Sequence, residues 1–219
     1  MSNVLVTGAN RGIGLELCRQ LKDRGDELIA VCRSASDALN SLDLRVIEGV
    51  DVSSGASVSA LRDQLANERL DWLINNAGIL AVETLDSLDF ETIEQQFRVN
   101  ALGPLRVTAA LLSNLSSGSK VGIITSRMGS IDDNTTGGYY GYRMSKAAVN
   151  MAGMNLARDL KDQGIAVALL HPGMVATEMT GRQGIPVQQS VAGLIQRMDD
   201  LQIKQTGGFW HANGELLPW

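Results

Sequence analysis

The chain contains little cysteine and no long apolar segment. Its 219 residues include two cysteines, Cys18 and Cys32, and neither forms a CxxC pair or has a histidine beside it. We therefore expect no disulfide framework and no metal site, and we interpret both thiols as small buried hydrophobic groups. No apolar run approaches the ~20 residues that a membrane-spanning helix requires.

An excess of positive charge is also absent. The 19 Lys and Arg residues are outnumbered by 24 Asp and Glu residues, which gives a formal net charge of −5. This balance disfavours non-specific binding to nucleic acid and to anionic membranes. The residues that follow Met1 carry neither the basic nor the apolar region of a secretory signal. We expect a cytoplasmic protein without nucleic-acid or membrane partners.

Short β-rich runs alternate with longer amphipathic stretches along the chain. No Pro/Gly/Ser-rich linker or internal repeat divides it, and its length fits one α/β domain, so we expect a single domain over residues 1–219. The pattern predicts strands at residues 4–7, 27–32, 45–50, 70–75, 120–125, 165–170 and 208–212. It predicts helices at residues 12–24, 53–67, 89–113, 141–163 and 188–201.

Strands that are apolar on both faces belong in the middle of a sheet that helices cover on both sides. We therefore predict an α/β fold with a single doubly wound parallel sheet of the Rossmann type and right-handed crossovers. In this architecture the ligand crevice lies at the carboxyl ends of the strands. Most of the motifs described next follow predicted strands.

The first strand leads into a glycine-rich turn that opens the first helix. The segment TGANRGIG, residues 7–14, has glycines where the backbone must turn tightly and approach a phosphate. The helix N-terminus then offers free N–H groups and a partial positive charge. We interpret the segment as a dinucleotide site rather than an ordinary structural turn. The expected contacts come from Gly8, Asn10, Arg11, Gly12, Ile13 and Gly14.

The end of the second strand distinguishes the two nicotinamide dinucleotides. Proteins that bind NAD place a carboxylate there, whereas an arginine accommodates the 2′-phosphate of NADP. This sequence has Arg33 and Ser34, and no carboxylate before Asp37. We expect Arg33 and Arg11 to converge on the 2′-phosphate, because guanidinium groups bind phosphate through paired hydrogen bonds. The alternative is that both arginines are solvated surface residues.

Two further strand ends carry small or polar residues. Asp51, which precedes Val52, either accepts a hydrogen bond from the adenine amino group or caps the next helix, for which Ser53 and Ser54 are also candidates. After the fourth strand, small residues allow the backbone to lie against the adenosine ribose. We interpret Asn75 as structural and assign the next three residues to the cofactor site, together with Asp51 and Val52: Asn76, Ala77 and Gly78.

Tyr142 and Lys146 lie four residues apart on one face of a predicted helix. Reduction of a carbonyl creates an alkoxide that must be protonated, and a tyrosine with a pKa near ~10 is a poor acid–base group at neutral pH. A nearby ammonium favours the phenolate and lowers that pKa, so the pair predicts a general acid–base. By itself the pattern is weak, because the same spacing arises by chance on amphipathic helices.

Two other residues strengthen this interpretation. Ser126 ends the fifth strand, where its hydroxyl could hold a carbonyl oxygen or simply form a turn. Asn100 falls inside the predicted long helix, shortly before Pro104, which disturbs a helix. We expect the side chain of Asn100, or a bend at this point, to hold a water molecule.

In this order the motifs resemble the short-chain dehydrogenase/reductase family over essentially the whole chain. The matching segments are TGxxxGxG at 7–14, NNAG at 75–78, YxxxK at 142–146 and PGxVxT at 172–177, with the asparagine and serine described above. The resemblance implies a catalytic tetrad. Tyr142 is its acid–base group, and Ser126 orients the substrate. Asn100 supports a proton-relaying water, and Lys146 also binds the nicotinamide ribose. The resemblance also implies NADP(H) as cofactor, with carboxamide contacts from Pro172, Gly173, Val175 and Thr177.

Within this family, the sequence resembles the small carbonyl reductases of the sniffer and C-signal type. The NTTGG segment at 134–138 and the ending GELLPW carry this narrower likeness. The chain departs from commoner members of the family in two ways. It has extra residues between Ser126 and Tyr142, and its segment after Thr177 is short. The short segment implies an open site and a broad substrate range. Apolar walls for that site are expected from Met128, Ile131, Tyr140, Met174 and Met179.

The resemblance implies an NADPH-dependent oxidoreductase that acts on an aldehyde, ketone or quinone, or on the corresponding alcohol. It also implies homodimers or homotetramers through the two long helices, whereas some carbonyl-reducing members of the family are monomers. The alternative is a non-catalytic NADP(H)-binding sensor or signalling protein, which would have no need of a paired tyrosine and lysine. A sugar-nucleotide epimerase is disfavoured, because the sequence has no sizeable C-terminal substrate domain.

Overall fold

The structure is a computed structural model that describes residues 1–219 and contains one seven-stranded sheet. All seven predicted strands are present. Their bounds are β1 Asn3–Thr7, β2 Glu27–Val31, β3 Arg45–Ile47, β4 Trp72–Asn75, β5 Lys120–Ile124, β6 Ala166–His171 and β7 Gly208–His211.

Seven α-helices connect the strands. They are α1 Gly12–Arg24, α2 Asp37–Asn40, α3 Gly55–Gln64, α4 Phe90–Asn100, α5 Leu102–Ala110, α6 Tyr140–Asp159 and α7 Val187–Asp200. The short helix α2 was not predicted, because four residues are too few to establish a helical period. None of the seven helices combines the length and the apolar character that crossing a membrane requires.

The strand order is β3-β2-β1-β4-β5-β6-β7, and every pair of neighbours is parallel. This confirms the predicted doubly wound sheet. The order reverses between β1 and β4, and in such sheets the crevice at the carboxyl ends of the strands beside this reversal binds the ligand. The glycine-rich turn after β1 and the NNAG segment at the end of β4 therefore become neighbours.

Alternate residues of the strands enter two separate apolar layers. On one face, Leu5 and Leu73 pack with side chains of α3, α4, α5 and α6. On the other face, Val4 and Ile74 pack with α1 and α7. Both faces of the central strands are buried, which accounts for their continuous apolar sequence. Cys18 and Cys32 lie buried and unpaired in the second layer, as predicted.

The predicted long helix at residues 89–113 is wrong, because the chain forms two helices that meet at Ala101. Ala101 ends α4 and precedes α5, with φ −105° and ψ −59°. Pro104 lies in the first turn of α5, where proline is tolerated. It has no N–H, so the carbonyl of Asn100 lacks the donor that would continue the helix. The catalytic candidate therefore ends a helix instead of lying inside one.

Other helix ends differ from the prediction by a few residues. The helix predicted at 53–67 begins at Gly55, because the hydroxyl of Ser54 accepts the hydrogen bond from Ser57 N–H and caps it. The helix predicted at 141–163 ends at Asp159, and a separate single turn continues to Gly164, which has φ +73°. A glycine in this left-handed conformation is a common helix stop.

The packing of the hydrophobic core is tested at Leu73, which lies in β4 at the centre of the sheet and is fully buried. Leu73→Ala should lower the free energy of unfolding by about 2–5 kcal/mol through lost apolar contacts and the resulting cavity. Urea denaturation followed by circular dichroism measures this change. Val82→Ala is the control, since its side chain is 64% exposed and should change stability by less than ~0.5 kcal/mol. Equal stabilities of the two variants would contradict the packing described here.

Candidate active site

The turn between β1 and α1 closely approaches the end of β4. A Cβ atom at Gly14 would collide with the carbonyl oxygen of Gly8, and one at Gly8, which has φ +66°, would lie 2.8 Å from the Cα of Ala77. Both positions therefore require glycine. The helix behind the turn has no side-chain cap at Arg11 and no acidic residue in its first turn. This uncapped N-terminus suits an anion such as a phosphate.

Asn76 fixes this turn with its side chain. Its Nδ2 donates to the carbonyl oxygens of Thr7 (2.9 Å) and Gly8 (3.1 Å), and the hydroxyl of Thr7 accepts from the N–H groups of Asn76 and Ala77. The side chain of Asn76 is thus used within the protein, and a ligand would meet its backbone. Asn75 is buried and donates to the hydroxyl of Thr108 at 3.0 Å, in agreement with a structural role.

Of the two arginines expected to converge, only Arg11 has an ion-pair partner in the structure. Arg11 forms an ion pair with Glu178 at 3.0 Å, with both side chains about two-thirds exposed. Glu178 follows Thr177, so this pair spans the cleft between the glycine turn and the segment after β6. Surface pairs of this kind contribute little stability and can open easily. Arg33 is exposed and takes part in none of the ion pairs of the structure.

Asp51 does not cap α3, so that alternative is wrong. Its Oδ1 accepts from the N–H (2.8 Å) and the hydroxyl (2.7 Å) of Ser53, and Ser54 is the cap. These hydrogen bonds, assisted by the guanidinium groups of Arg33 and Arg106, lower the pKa of Asp51. The carbonyl of Val52 accepts from Arg106 at 2.7 Å. Asp51 therefore remains an ionised acceptor near Arg33.

The segment after β6 forms the opposite wall of the cleft. Gly173 has φ +86°, and Val175 is buried and bridges to Ile185. The carbonyl of Pro172 accepts from Ser190 at the start of α7. A Cβ atom at Gly12 would lie 3.4 Å from the Cγ2 of Thr177, so this segment faces the glycine turn directly. The positions at 172–177 that were assigned to the cofactor thus lie across the cleft from those at 8–14.

The candidate acid–base group, Tyr142, lies in the first turn of α6 and is almost fully buried. Burial raises the pKa of its phenol, and the nearby side chain of Ser126 acts in the opposite direction. The expectation of a lowered pKa is therefore wrong for the protein in this state. Desolvation of the phenolate outweighs the stabilising contacts, so the phenol keeps its proton at neutral pH.

Lys146 follows one turn later and is 5% exposed. Its Nζ donates to the carbonyl of Ile124 at 2.9 Å and lies 5.6 Å from the centre of the Tyr142 ring. Burial lowers the pKa of Lys146 to about 8. A Cβ atom at Gly78 would lie 3.8 Å from Nζ, so the lysine also borders the NNAG segment.

Asn100 connects the same segment with α6. Its side chain accepts from the N–H of Ile79 and donates to the carbonyl of Ile79, both at 2.8 Å, and it also donates to the hydroxyl of Ser145 at 3.0 Å. The side chain is thus fully used in holding two elements together. Its main-chain carbonyl, which Pro104 leaves without a helical donor, is the group that could hold a water.

Sequence reasoning missed several buried polar residues around this centre. Glu83 and Gln96 are buried and hydrogen-bonded to each other at 2.5 Å. The available signal was the spacing of Gln96 and Asn100, which puts two amides one turn apart on the apolar face of α4. Arg127, next to Ser126, pairs with Asp133 at 2.8 Å and Glu215 at 3.0 Å.

His171, at the end of β6, was also missed. Burial, with a further contribution from the neighbouring His211, lowers the pKa of His171 to about 3, so its ring is neutral at physiological pH. The two rings meet edge to face, with centroids 4.9 Å apart. Nδ1 of His171 is buried and has no hydrogen-bond partner in the structure. Its position directly before Pro172 was the only sequence signal.

Apolar side chains with large exposed surfaces follow the catalytic segments in the chain. Three of the five predicted wall residues are exposed, whereas Met128 and Tyr140 are partly buried. The exposed ones are Ile131, which lies between Ser126 and Tyr142, and two residues of the segment after β6, Met174 and Met179.

The comparisons with known proteins agree with this geometry. The sequence profile of the short chain dehydrogenase family matches residues 2–186. A 1-hydroxy-2-glutathionyl-2-methyl-3-butene dehydrogenase from Rhodococcus sp. (strain AD45) is 45% identical, with 100% of both chains covered. The C-signal protein of Myxococcus xanthus is 44% identical over 68% of this chain and 93% of its own.

Several solved structures with the same fold are carbonyl reductases. The NADPH-bound carbonyl reductase from chicken fatty liver has a TM-score of 0.91 and 30% identity, covering 100% of this chain and 99% of its own. The carbonyl reductase Sniffer of D. melanogaster has a TM-score of 0.92 and 29% identity, with both chains covered completely. Both the sheet and the order of the motifs match the predicted resemblance. The chain therefore belongs to the short-chain dehydrogenase family and is an oxidoreductase of that family.

Proposed function

We propose that this protein is an NADPH-dependent carbonyl reductase, which can also run in the direction of alcohol oxidation. The observation that carries the proposal is the buried pair of Tyr142 and Lys146, with Ser126 close to the phenol, beside the uncapped glycine turn. Burying an ammonium is unfavourable. A non-catalytic NADP(H) sensor would have no need of such a pair, so the structure favours the enzyme over this alternative.

The residues present fit a dinucleotide phosphate. The glycine turn leaves no room for side chains, and the N–H groups at the start of α1 are free of a capping side chain. We assign the pyrophosphate to residues 8–14, the adenosine to Asp51, Val52 and residues 76–78, and the 2′-phosphate to Arg33 and Ser34. The nicotinamide end is assigned to residues 172–177 and Lys146. The NADPH-bound chicken enzyme supports this choice of cofactor.

When bound, NADPH supplies the hydride that reduces the carbonyl carbon of the substrate. The hydroxyl of Ser126 donates a hydrogen bond to the carbonyl oxygen and orients it. The phenol of Tyr142 donates its proton to that oxygen, which yields the alcohol. Burial keeps the phenol protonated before this step, as a general acid requires.

Lys146 and Asn100 return a proton to the tyrosine. The ammonium of Lys146 stabilises the phenolate that remains after the transfer. We propose that a water on the free carbonyl of Asn100 links the lysine to solvent, since Pro104 removes the usual hydrogen-bond donor of that carbonyl. The other contacts of Asn100, to Ile79 and Ser145, hold the segment and helix that flank this path.

The exposed apolar side chains support a substrate with apolar character and few required contacts. Ile131, Met174 and Met179 offer such surface, and only a short segment separates Thr177 from α7. The Rhodococcus relative is named for an alcohol that carries a glutathionyl group. An alcohol with a thioether-linked peptide is therefore a second substrate class for this chain, alongside aldehydes, ketones and quinones.

We further propose one catalytic domain over residues 1–219 and a cytoplasmic location. We also propose a homodimer or homotetramer. Apolar side chains that are exposed on α5 and α6 support association through these helices, because unpaired apolar surface on a helix favours contact with another chain. They are Leu102, Leu105, Met144 and Met151.

The function is tested by NADPH oxidation with a panel of aldehydes, ketones and quinones. Wild-type protein should turn over several of them, and Tyr142→Phe should lose about 10²–10⁴-fold in kcat because it lacks the donated proton. NADPH binding, followed by fluorescence, should survive in the variant, since only one hydroxyl is removed. Turnover near that of the wild type in Tyr142→Phe would remove the tyrosine from the mechanism and favour the sensor.

The pH dependence of reduction follows from Lys146. Because burial lowers its pKa to about 8, the ammonium is charged below that pH and becomes neutral above it. Tyr142, whose pKa is raised, stays protonated over the same range. We expect kcat/KM for the carbonyl to be flat at lower pH and to fall as the pH passes about 8. Lys146→Met should be slow and should lack this step, and a wild-type profile without the step would contradict the assignment.

Cofactor selection is tested at Arg33. Arg33→Ala should raise KM for NADPH by about ten- to a hundredfold, because one charge-assisted contact to the phosphate is lost, and should leave NADH kinetics nearly unchanged. Arg62→Ala is the matched control. Arg62 is an exposed arginine that pairs with Asp63 and lies far from the cleft. Tighter binding of NADH than of NADPH by the wild type would show that the selection is wrong.

A further inference from the structure

Glu83 is a buried carboxylate without a cationic partner. Its residue surface is 2% exposed, and it belongs to none of the ion pairs in the structure. Burying a carboxylate is strongly unfavourable unless other groups compensate for its lost hydration. The position of Glu83 therefore depends on the hydrogen bonds and dipoles around it.

Two donors face the two oxygens of this carboxylate. Oε1 accepts from Nε2 of Gln96 at 2.5 Å, and Oε2 accepts from the N–H of Gly141 at 3.2 Å. The amide of Gln96 is oriented by the N–H of Ala81, which donates to its Oε1 at 3.0 Å. Both oxygens of Glu83 thus accept, which is the hydrogen-bonding pattern of an ionised carboxylate.

The second donor belongs to the N-terminus of the catalytic helix α6. Tyr139 precedes this helix with φ +51°, caps it with no side-chain hydrogen bond, and the first turn contains no acidic residue. The main-chain carbonyl of Glu83 also accepts from the N–H of Tyr139 at 2.9 Å. A helix N-terminus carries a partial positive charge that an anion stabilises. Glu83 supplies that anion from a distant segment of the chain.

The helix start is also held tightly against α4. A Cβ atom at Gly141 would collide with Nε2 of Gln96 and would lie 3.0 Å from the Cα of Ile93, so only glycine allows this approach. Tyr142 is the next residue. Any movement of the helix start therefore moves the phenol relative to Ser126.

We propose that Glu83 is a positioning residue of the active site, whose buried carboxylate caps α6 and thereby sets both the place and the electrostatic surroundings of Tyr142. The proposal rests on the proposed function, in which Tyr142 is the acid–base. It assigns no contact with substrate to Glu83. Gln96 serves the same arrangement by orienting one oxygen of the carboxylate.

Other ionisable groups near the start of α6 do not replace this charge. The exposed groups of α4 point away from the buried side, and Arg98 there is paired with Glu94. Arg106 of α5 is bonded to the carbonyl of Val52, and Arg127 is paired with two carboxylates. The other groups on the packed elements near this helix start are Glu91 of α4, His171 of β6, and Tyr139, Tyr140, Arg143 and Lys146 at or in α6, whereas Arg158 and Asp159 lie at the far end of α6.

Glu83→Gln removes the charge and leaves one of the two donors facing an NH2 group. We expect kcat for reduction to fall on the order of tenfold, within the ~100-fold that a misplacement of about 1 Å can cost. The dissociation constant of NADPH should stay within about twofold. Without the anion, the positive helix terminus favours the phenolate, so the pH profile of alcohol oxidation should move to lower pH by about 0.2–0.7 unit.

The double variant Glu83→Gln/Gln96→Glu exchanges the two side chains and restores every hydrogen bond. The amide introduced at position 83 then accepts from Gly141 and donates to the carboxylate introduced at position 96, which still accepts from Ala81. The charge is also restored one side chain further from the helix. We expect kcat to recover to within about threefold of the wild type and the pH profile to move back. Glu91→Gln, which removes an exposed carboxylate from α4, should change neither quantity.

The outcomes separate this proposal from the proposed function. Turnover near that of the wild type in Tyr142→Phe would overturn the proposed function. With Tyr142→Phe inactive, three results overturn the role of Glu83: kcat and pH profile unchanged in Glu83→Gln, a loss of kcat with an unmoved profile, or no recovery in the double variant. If Glu83→Gln does not fold, the double variant decides, because a failure of that variant to fold or to react also contradicts the proposal.

Discussion

Both halves of the candidate site depend on contacts with the NNAG segment. The glycine turn packs against one side of this segment, and the candidate catalytic residues pack against the other. Asn76 ties its end of β4 to Thr7 and Gly8, and Gly78 borders Asn100 and Lys146. The cofactor turn and the catalytic helix do not need to touch each other. Both elements are instead positioned by the NNAG segment, which lies where the strand order reverses and where such sheets form their ligand crevice.

Burial determines the charge states in this centre more than the neighbouring charges do. It raises the pKa of Tyr142 and lowers those of Lys146 and His171. In each case the largest cause is the loss of water around the charged form. These shifts suit the proposed reduction, because Tyr142 keeps the proton that it would donate. Lys146 has a pKa of about 8 and therefore changes charge close to neutral pH.

Helix ends hold several of the groups around the candidate site. The uncapped start of α1 faces the proposed phosphate site, the N–H of Gly141 at the start of α6 donates to Glu83, and α4 ends at Asn100, shortly before Pro104. Free backbone groups at such ends are either used for a ligand or satisfied by another part of the chain. The start of α6 is satisfied by Glu83, whereas the start of α1 has no side-chain cap.

The sequence by itself determined the parallel sheet, the glycine turn and the identity of the catalytic candidates, because each of these depends on local periodicity or on residues close together in the chain. It did not determine the break at Ala101, although Pro104 was visible, since only packing decides whether proline bends or ends a helix. The partner of Arg11, the direction of the Tyr142 pKa shift and the hydrogen bonds of Glu83 were decided by tertiary structure alone. All three depend on burial and on contacts between residues that are distant in sequence, such as Glu83 and Gly141, which no local pattern records.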